Sequence, residues 1–225
     1  VTENDGRPSR ATPPPTWPFR LGVRLIGDGL RDTVITPFVK HWVSITTEGA
    51  YHLNALSEPA LFIFNHSDDF DAPVIYAALP RAVRRRLTVA TGANILGDHR
   101  ALGFIIRLCY AGFAIARRSP YRPSLTYVSD LMVAGCHVLL APEGQLSTDG
   151  ELQEFKSGIG LLAVKTGASV VPMRLDGLWG TVPMHALWPQ RHSTVTVRIG
   201  EPRRFAPDAK YRDVTRELRE AMLAL

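Results

Sequence analysis

Residues Leu61 to Asp71 read LFIFNHSDDFD, a short apolar run that ends at an asparagine and is followed at once by one histidine and three acids. Leu61 to Phe64 is uninterrupted, partly aromatic, and preceded by the breaker Pro59, the pattern of a buried strand. His66 therefore falls just past the C-terminal end of that strand. Asp71 precedes Ala72-Pro73, and proline in a first helical turn behind an acid predicts a helix to about Leu79 with Asp71 as its N-cap. The interval between the two is right for a turn that sets the His66 and Asp71 side chains next to each other. An imidazole held by a carboxylate can take a proton from a hydroxyl near neutral pH, because an unperturbed histidine titrates there and the acid fixes the ring. A polar loop followed by a helix cap fits the same residues, and the stretch alone leaves both readings open.

Upstream, Val43 to Thr47 reads as an edge strand. From Phe19 to Trp42 apolar residues recur at helical spacing between Arg20, Arg24, Arg31 and Lys40, and Pro37 predicts a kink or a break between two helical pieces. Such a basic, tryptophan-bearing segment suits either an anionic membrane surface or the domain's own core. Residues 1–18 hold five prolines and read as a flexible tail or linker. Downstream, Arg81, Arg84, Arg85 and Arg86 precede a strand at Leu87 to Ala90; they fit a solvated loop or a phosphate contact. A helical pattern at 101–109 leads to a short strand, Phe113 to Ala116, ending in Arg117. A helix over Ser124 to Ala134 precedes strand His137 to Leu140, which runs into Pro142-Glu143-Gly144. Then come a helix at Ile159 to Thr166, strands at Val170 to Met173 and Val195 to Ile199, and a closing helix at Tyr211 to Leu223. This alternation predicts an α/β fold with a mixed, largely parallel sheet flanked by helices, spanning 43–225 behind an amphipathic helical segment at 19–42.

Composition narrows the classes. The 225 residues are 45% hydrophobic, enough for one substantial core and too many for a disordered chain. Lys and Arg outnumber Asp and Glu by 26 to 21, a net charge of +5 that favours anionic partners such as lipid headgroups or phosphorylated carriers. The basic residues are not interleaved with a stacking platform or recognition motif, so no nucleic acid is expected. Cys109 and Cys136 make neither a disulfide framework nor a metal cluster, which predicts a reducing compartment. With no apolar leader at the first residues and no apolar run of about 18 residues, the expected location is cytoplasmic, soluble or surface-bound. The phosphate-binding glycine loops, the G-x-S-x-G elbow and H-E-x-x-H are all absent, so no metal and no bound nucleotide is expected.

Four blocks in order resemble the lysophospholipid and glycerol-phosphate acyltransferase family. They are Asn65-His66-Ser67-Asp68-Asp69-Phe70-Asp71, similar to N-H-x-x-x-x-D; Gly112 to Arg117, similar to a glycine and apolar strand ending in arginine; Ala141 to Ser147, similar to a P-E-G-T-R-S block; and Val170-Val171-Pro172-Met173. Phe155-Lys156-Ser157-Gly158 lies between the last two, and the match spans about residues 43 to 200. The resemblance implies a glycerolipid acyltransferase-like fold and a transfer from acyl-CoA or acyl carrier protein to an acceptor hydroxyl, most simply that of a lysophospholipid. In it His66 would be the general base, Asp71 its partner, and Asn65, Gly112, Arg117, Glu143, Gly144 and Lys156 the substrate-binding set, with no bound cofactor. Peripheral contact with the inner face of an anionic membrane is expected beside this. One departure stands out: Gln145-Leu146 occupy the positions of Thr-Arg. Arg118, Lys156 or an arginine of the 81–86 cluster would then have to supply the missing charge. A non-catalytic lipid- or carrier-binding domain and a thioester hydrolase share the same residues as alternatives.

Overall fold

The computed structural model describes residues 20–98, 100–115, 122–182, 189 and 192–225. Within them β1 (Val43–Glu48), β2 (Ala60–Phe64), β3 (Leu87–Gly92), β4 (Phe113–Ile115), β5 (His137–Leu140), β6 (Ser169–Asp176) and β7 (Ser193–Ile199) make one sheet in the order β1-β7-β6-β2-β5-β3-β4. From β6 to β4 all neighbours are parallel; β7 runs antiparallel to β6, and β1 is parallel to β7. The mixed, largely parallel sheet expected from the sequence is therefore what the chain forms.

Every residue of β2 is buried. Phe62 and Phe64 pack into one apolar layer and Leu61 and Ile63 into the other, which is why the strand is apolar without alternation. The helices are α1 (Leu21–Leu30), α2 (Thr36–Trp42), α3 (Asp71–Ala78), α4 (Arg81–Arg84), α5 (Ala93–Asp98), α6 (Arg100–Tyr110), α7 (Arg122–Val133), α8 (Gly158–Thr166) and α9 (Tyr211–Leu223). Val39 of α2, Val74 and Ile75 of α3 and Cys109 of α6 cover the first face. Val128 of α7, Ile159 and Leu162 of α8 and Leu218 of α9 cover the second.

The N-terminal segment does not break at Pro37. Between α1 and α2 the helix widens into a single π-type turn, Arg31–Ile35, and Pro37 sits in the first turn of α2. Proline lacks the N–H that would bond the Thr33 carbonyl, and its ring crowds that carbonyl; a wide turn just before it relieves both problems. Arg31 in this turn is buried: Nη1 donates to the Cys109 carbonyl at 3.0 Å, Nη2 lies 2.8 Å from Asp28, and the guanidinium sits 5.0 Å from the Tyr76 ring centre. On the outer side Leu21, Leu25, Ile26 and Val34 are exposed, as are Leu102, Phe104 and Ile105 of α6, against which α1 packs.

The arginines at 81–86 lie where they cannot serve the site. They precede β3 and so stand at the N-terminal ends of the parallel strands, whereas His66 follows the C-terminal end of β2. Arg84 is 3.2 Å from Asp32, and Arg86 Nε donates to the Gly135 carbonyl at 2.7 Å. They belong to the reverse edge of the sheet.

Candidate active site

β2 and β5 are neighbours, so the loops leaving their C-terminal ends, 65–70 and 141–157, meet at the crevice where α/β proteins gather functional groups. Asn65 turns the chain at the end of β2: its Nδ2 donates to the Leu175 carbonyl at 2.9 Å and its Oδ1 accepts the Leu175 N–H at 2.7 Å. The amide thus mimics a backbone pairing with β6.

Asp71 is not the N-cap of its helix. α3 begins at Asp71 itself, Phe70 occupies the cap position, and no side chain caps the helix. The Asp71 carboxylate instead folds back over the loop, where Oδ2 meets His66 Nδ1 at 2.8 Å and accepts the N–H groups of Ser67 at 2.8 Å and Asp68 at 3.1 Å. Oδ1 accepts the Ser67 hydroxyl at 3.2 Å. Burial raises the Asp71 carboxyl above its ordinary value, and the hydrogen bond and charge of His66 with the Asp68 and Ser67 N–H groups act against that rise in favour of the anion. Burial pulls the His66 pKa down, but the hydrogen bond and charge of Asp71, with help from Asp69 and Glu143, outweigh it and leave the ring above its ordinary value of 6.5. With Nδ1 committed to Asp71, Nε2 is the nitrogen left to take a proton.

The His66 backbone is gripped from both sides. Glu143 is buried; its Oε1 accepts the His66 N–H at 2.8 Å and its Oε2 accepts the Gln153 N–H at 3.0 Å. Ser147 N–H donates to the His66 carbonyl at 2.7 Å. These hydrogen bonds have Glu143 orient its neighbours, the His66 and Gln153 backbones. Ser147 and Gln153 escaped the sequence reading because each acts through its backbone, which leaves no trace in residue type.

On the other side of the same loop Gly144 adopts a left-handed φ of +71°, and a Cβ there would touch the Lys156 stem at 3.4 Å. Lys156 and Gln145 flank a cavity of about 350 Å³ whose apolar walls include Ile115, Leu125, Leu140 and Ile159. Leu146, at the departed arginine position, is half-buried and lies outside that lining. Gly112 is buried at the start of β4, where a Cβ would stand 2.3 Å from Ile106 Cγ2, so packing alone demands glycine there. Arg117, Arg118 and residues 183–188 of the connection before β7 lie outside the described residues.

Fold and site together define an α/β protein with a histidine–carboxylate pair at the carboxyl edge of a parallel sheet. The Acyltransferase family model matches residues 44–176. The chain belongs to the acyltransferase family of the lysophospholipid and glycerol-phosphate type. It is similar to a chloroplastic 1-acyl-sn-glycerol-3-phosphate acyltransferase of Arabidopsis thaliana, 29% identical over 75% of this chain and 45% of the relative. It is also similar to Taffazin of Dictyostelium discoideum, 25% identical over 75% of this chain and 67% of the relative. The chain spans about half the length of the plant relatives it matches. Among solved structures, the 1-acyl-sn-glycerophosphate acyltransferase PlsC from Thermotoga maritima shares the fold with a TM-score of 0.63 at 20% identity, covering 93% of this chain and 89% of that one.

Proposed function

We propose that the chain transfers a fatty acyl group from a thioester donor, acyl-CoA or acyl carrier protein, to the hydroxyl of a lysophospholipid-class acceptor. The observation that carries this reading is the 2.8 Å contact between His66 Nδ1 and the buried Asp71 carboxylate. Nε2 takes the proton of the acceptor hydroxyl while the oxygen attacks the thioester carbonyl carbon. Asp71 stabilises the imidazolium as it forms. Collapse of the tetrahedral intermediate breaks the C–S bond, and the imidazolium returns its proton to the leaving thiolate. No acyl-enzyme is needed. Glu143 and Ser147 act behind His66 by fixing its backbone, and Asn65 by fixing the turn that carries it. Lys156, at the rim of the apolar cavity, supports an acceptor with an aliphatic portion and one anionic group, since a flexible ammonium is a point charge where the family's arginine would be a fork.

The test offers labelled acyl-CoA and acyl carrier protein with lysophosphatidate, lysophospholipids of larger headgroup and uncharged hydroxyl acceptors, and identifies products by mass spectrometry. Acylated lysolipid is the expected product. Free acid without acylated acceptor would instead define a hydrolase, and no turnover a binding domain.

We also propose peripheral attachment to the cytoplasmic face of an anionic membrane through α1 and α6. No helix among the described residues is long and apolar enough to cross a membrane. The support is the exposed apolar face of Leu21, Leu25, Ile26 and Phe104, with Arg20 and Arg100 exposed beside it. Vesicle sedimentation should show a preference for anionic lipid that weakens with salt. Equal partitioning to neutral and anionic vesicles would refute it.

A further inference from the structure

Asp68, Asp69 and Asp71 all follow His66 closely, and the chemistry above employs only Asp71. Asp69 is exposed, whereas Asp68 is 2% exposed. Its Oδ1 accepts the Phe70 N–H at 3.0 Å, and its Oδ2 reaches across to the Val182 N–H at 3.0 Å. Val182 ends a short strap, 177–182, that leaves β6. Gly177 at φ +92° starts the strap where a Cβ would collide with the Thr194 carbonyl, and Leu178 is fully buried. Thr181 N–H closes a turn onto the Leu178 carbonyl at 3.0 Å, and the buried Thr181 hydroxyl bonds Ser193. Trp179 lies over Gly150, where a Cβ would come within 2.9 Å of the indole. The strap therefore spans both loops that build the site, touching the His66 loop through Asp68 and the Glu143 loop through Gly150.

We propose that Asp68 is a positioning residue whose carboxylate latches the strap 177–182 to the His66 loop and so fixes the wall beside His66 that the acceptor hydroxyl approaches, apart from the cavity at Lys156. The part of this concerning the acceptor rests on the acyl-transfer reading; the latch itself does not. Both carboxylate oxygens accept N–H groups, so a proton on either one removes the charge that strengthens both bonds and takes up acceptor capacity, which weakens the latch. Burial raises the Asp68 carboxyl to about 6, the Val182 and Phe70 N–H groups oppose the rise, and the like charges of Asp71 and Asp69 add to it. Residues 178–182 carry no titratable side chain. The latch is accordingly closed above this value and opens as the pH falls through it.

Hydrogen–deuterium exchange on the full chain, corrected for intrinsic rates, tests the latch without reference to activity. Protection of the Val182 amide should fall as pH drops from 8 to 5 through about 6, and should be low throughout in Asp68→Asn, whose amide offers one acceptor to two N–H groups. If the variant does not fold, the native pH series decides alone. In kinetics, Asp68→Asn should raise the acceptor KM about tenfold, the worth of one buried N–H left unpaired, with a smaller change in kcat and in donor KM. The acid limb of log(kcat/KM) for the acceptor should have a slope of about two in the native chain, because His66 and Asp68 must both be deprotonated, and about one in the variant. Val182 protection that ignores both pH and the substitution overturns the latch. A responsive latch with equal slopes and an unmoved acceptor KM overturns its role at the acceptor wall. A responsive latch in a chain without acyl transfer upholds the latch and sinks the activity instead.

Discussion

His66→Ala is expected to fold and bind the acyl donor as the native chain does, while kcat falls about 10²-fold or more. The expectation of an intact fold comes from the division of labour around this residue. Glu143 and Ser147 hold its backbone N–H and carbonyl, which alanine retains. Asp71 keeps the Ser67 and Asp68 N–H groups on Oδ2 when the ring is gone, so the loop retains its shape. What is lost is one partner of a buried carboxylate, a cost of about 1–3 kcal/mol. The kinetic loss is larger because the positioned base itself is gone. Donor affinity by calorimetry, melting temperature and kcat on the same preparation separate these effects. In the native chain kcat/KM should rise with pH, since protonated imidazole cannot accept, and the midpoint should lie above the ordinary histidine value because Asp71 favours the charged ring. In His66→Ala the part of that limb set by the imidazole should disappear, leaving only the shallower limb of Asp68. A folded variant with near-native kcat would remove His66 from the chemistry.

The parts of this site that were legible in the sequence are those where side-chain type reports function. The uninterrupted run Leu61 to Phe64 could be read as a doubly covered strand because both faces of β2 are apolar, and Pro142-Glu143-Gly144 could be placed after a strand for the same reason. Direction was not legible. Glu143 points back into the His66 backbone, and Asp71 away from the helix it begins, because hydrogen-bond donors on other elements capture their carboxylates. An aspartate before Ala-Pro has the same spelling whether it caps a helix or holds a histidine. The Arg81 to Arg86 cluster looked available for a phosphate until the parallel pairing of β3 and β5 placed it at the wrong end of the sheet. Asp68 falls on one of the unspecified positions of N-H-x-x-x-x-D, and its partner is a backbone N–H 114 residues away that no motif encodes.

Asp71→Asn is the sharper experiment on the pair, because it should spare the fold and damage only the chemistry. The amide oxygen can occupy the place of Oδ2 and accept from His66 Nδ1 and from the Ser67 and Asp68 N–H groups, as the carboxylate does. The amide nitrogen then takes the place of Oδ1, where the Ser67 hydroxyl turns from donor to acceptor. A flipped amide would set its NH2 against two N–H donors, so the orientation is fixed and the histidine tautomer with it. The second amide N–H and the turned Ser67 hydroxyl proton lose a partner, but a buried charge has also been removed, so the melting temperature should change little. The transition state is another matter. Imidazolium now develops in a buried place without its anion, and kcat should fall on the order of 10²- to 10⁴-fold. The pH profile carries the signature: once Asp71 no longer raises the His66 pKa, burial prevails and the acid limb moves to lower pH. A protein that melts as the native chain does, turns over as fast and keeps its acid limb in place would mean that the charge beside the ring is not used, and the role of the pair would reduce to shaping the loop.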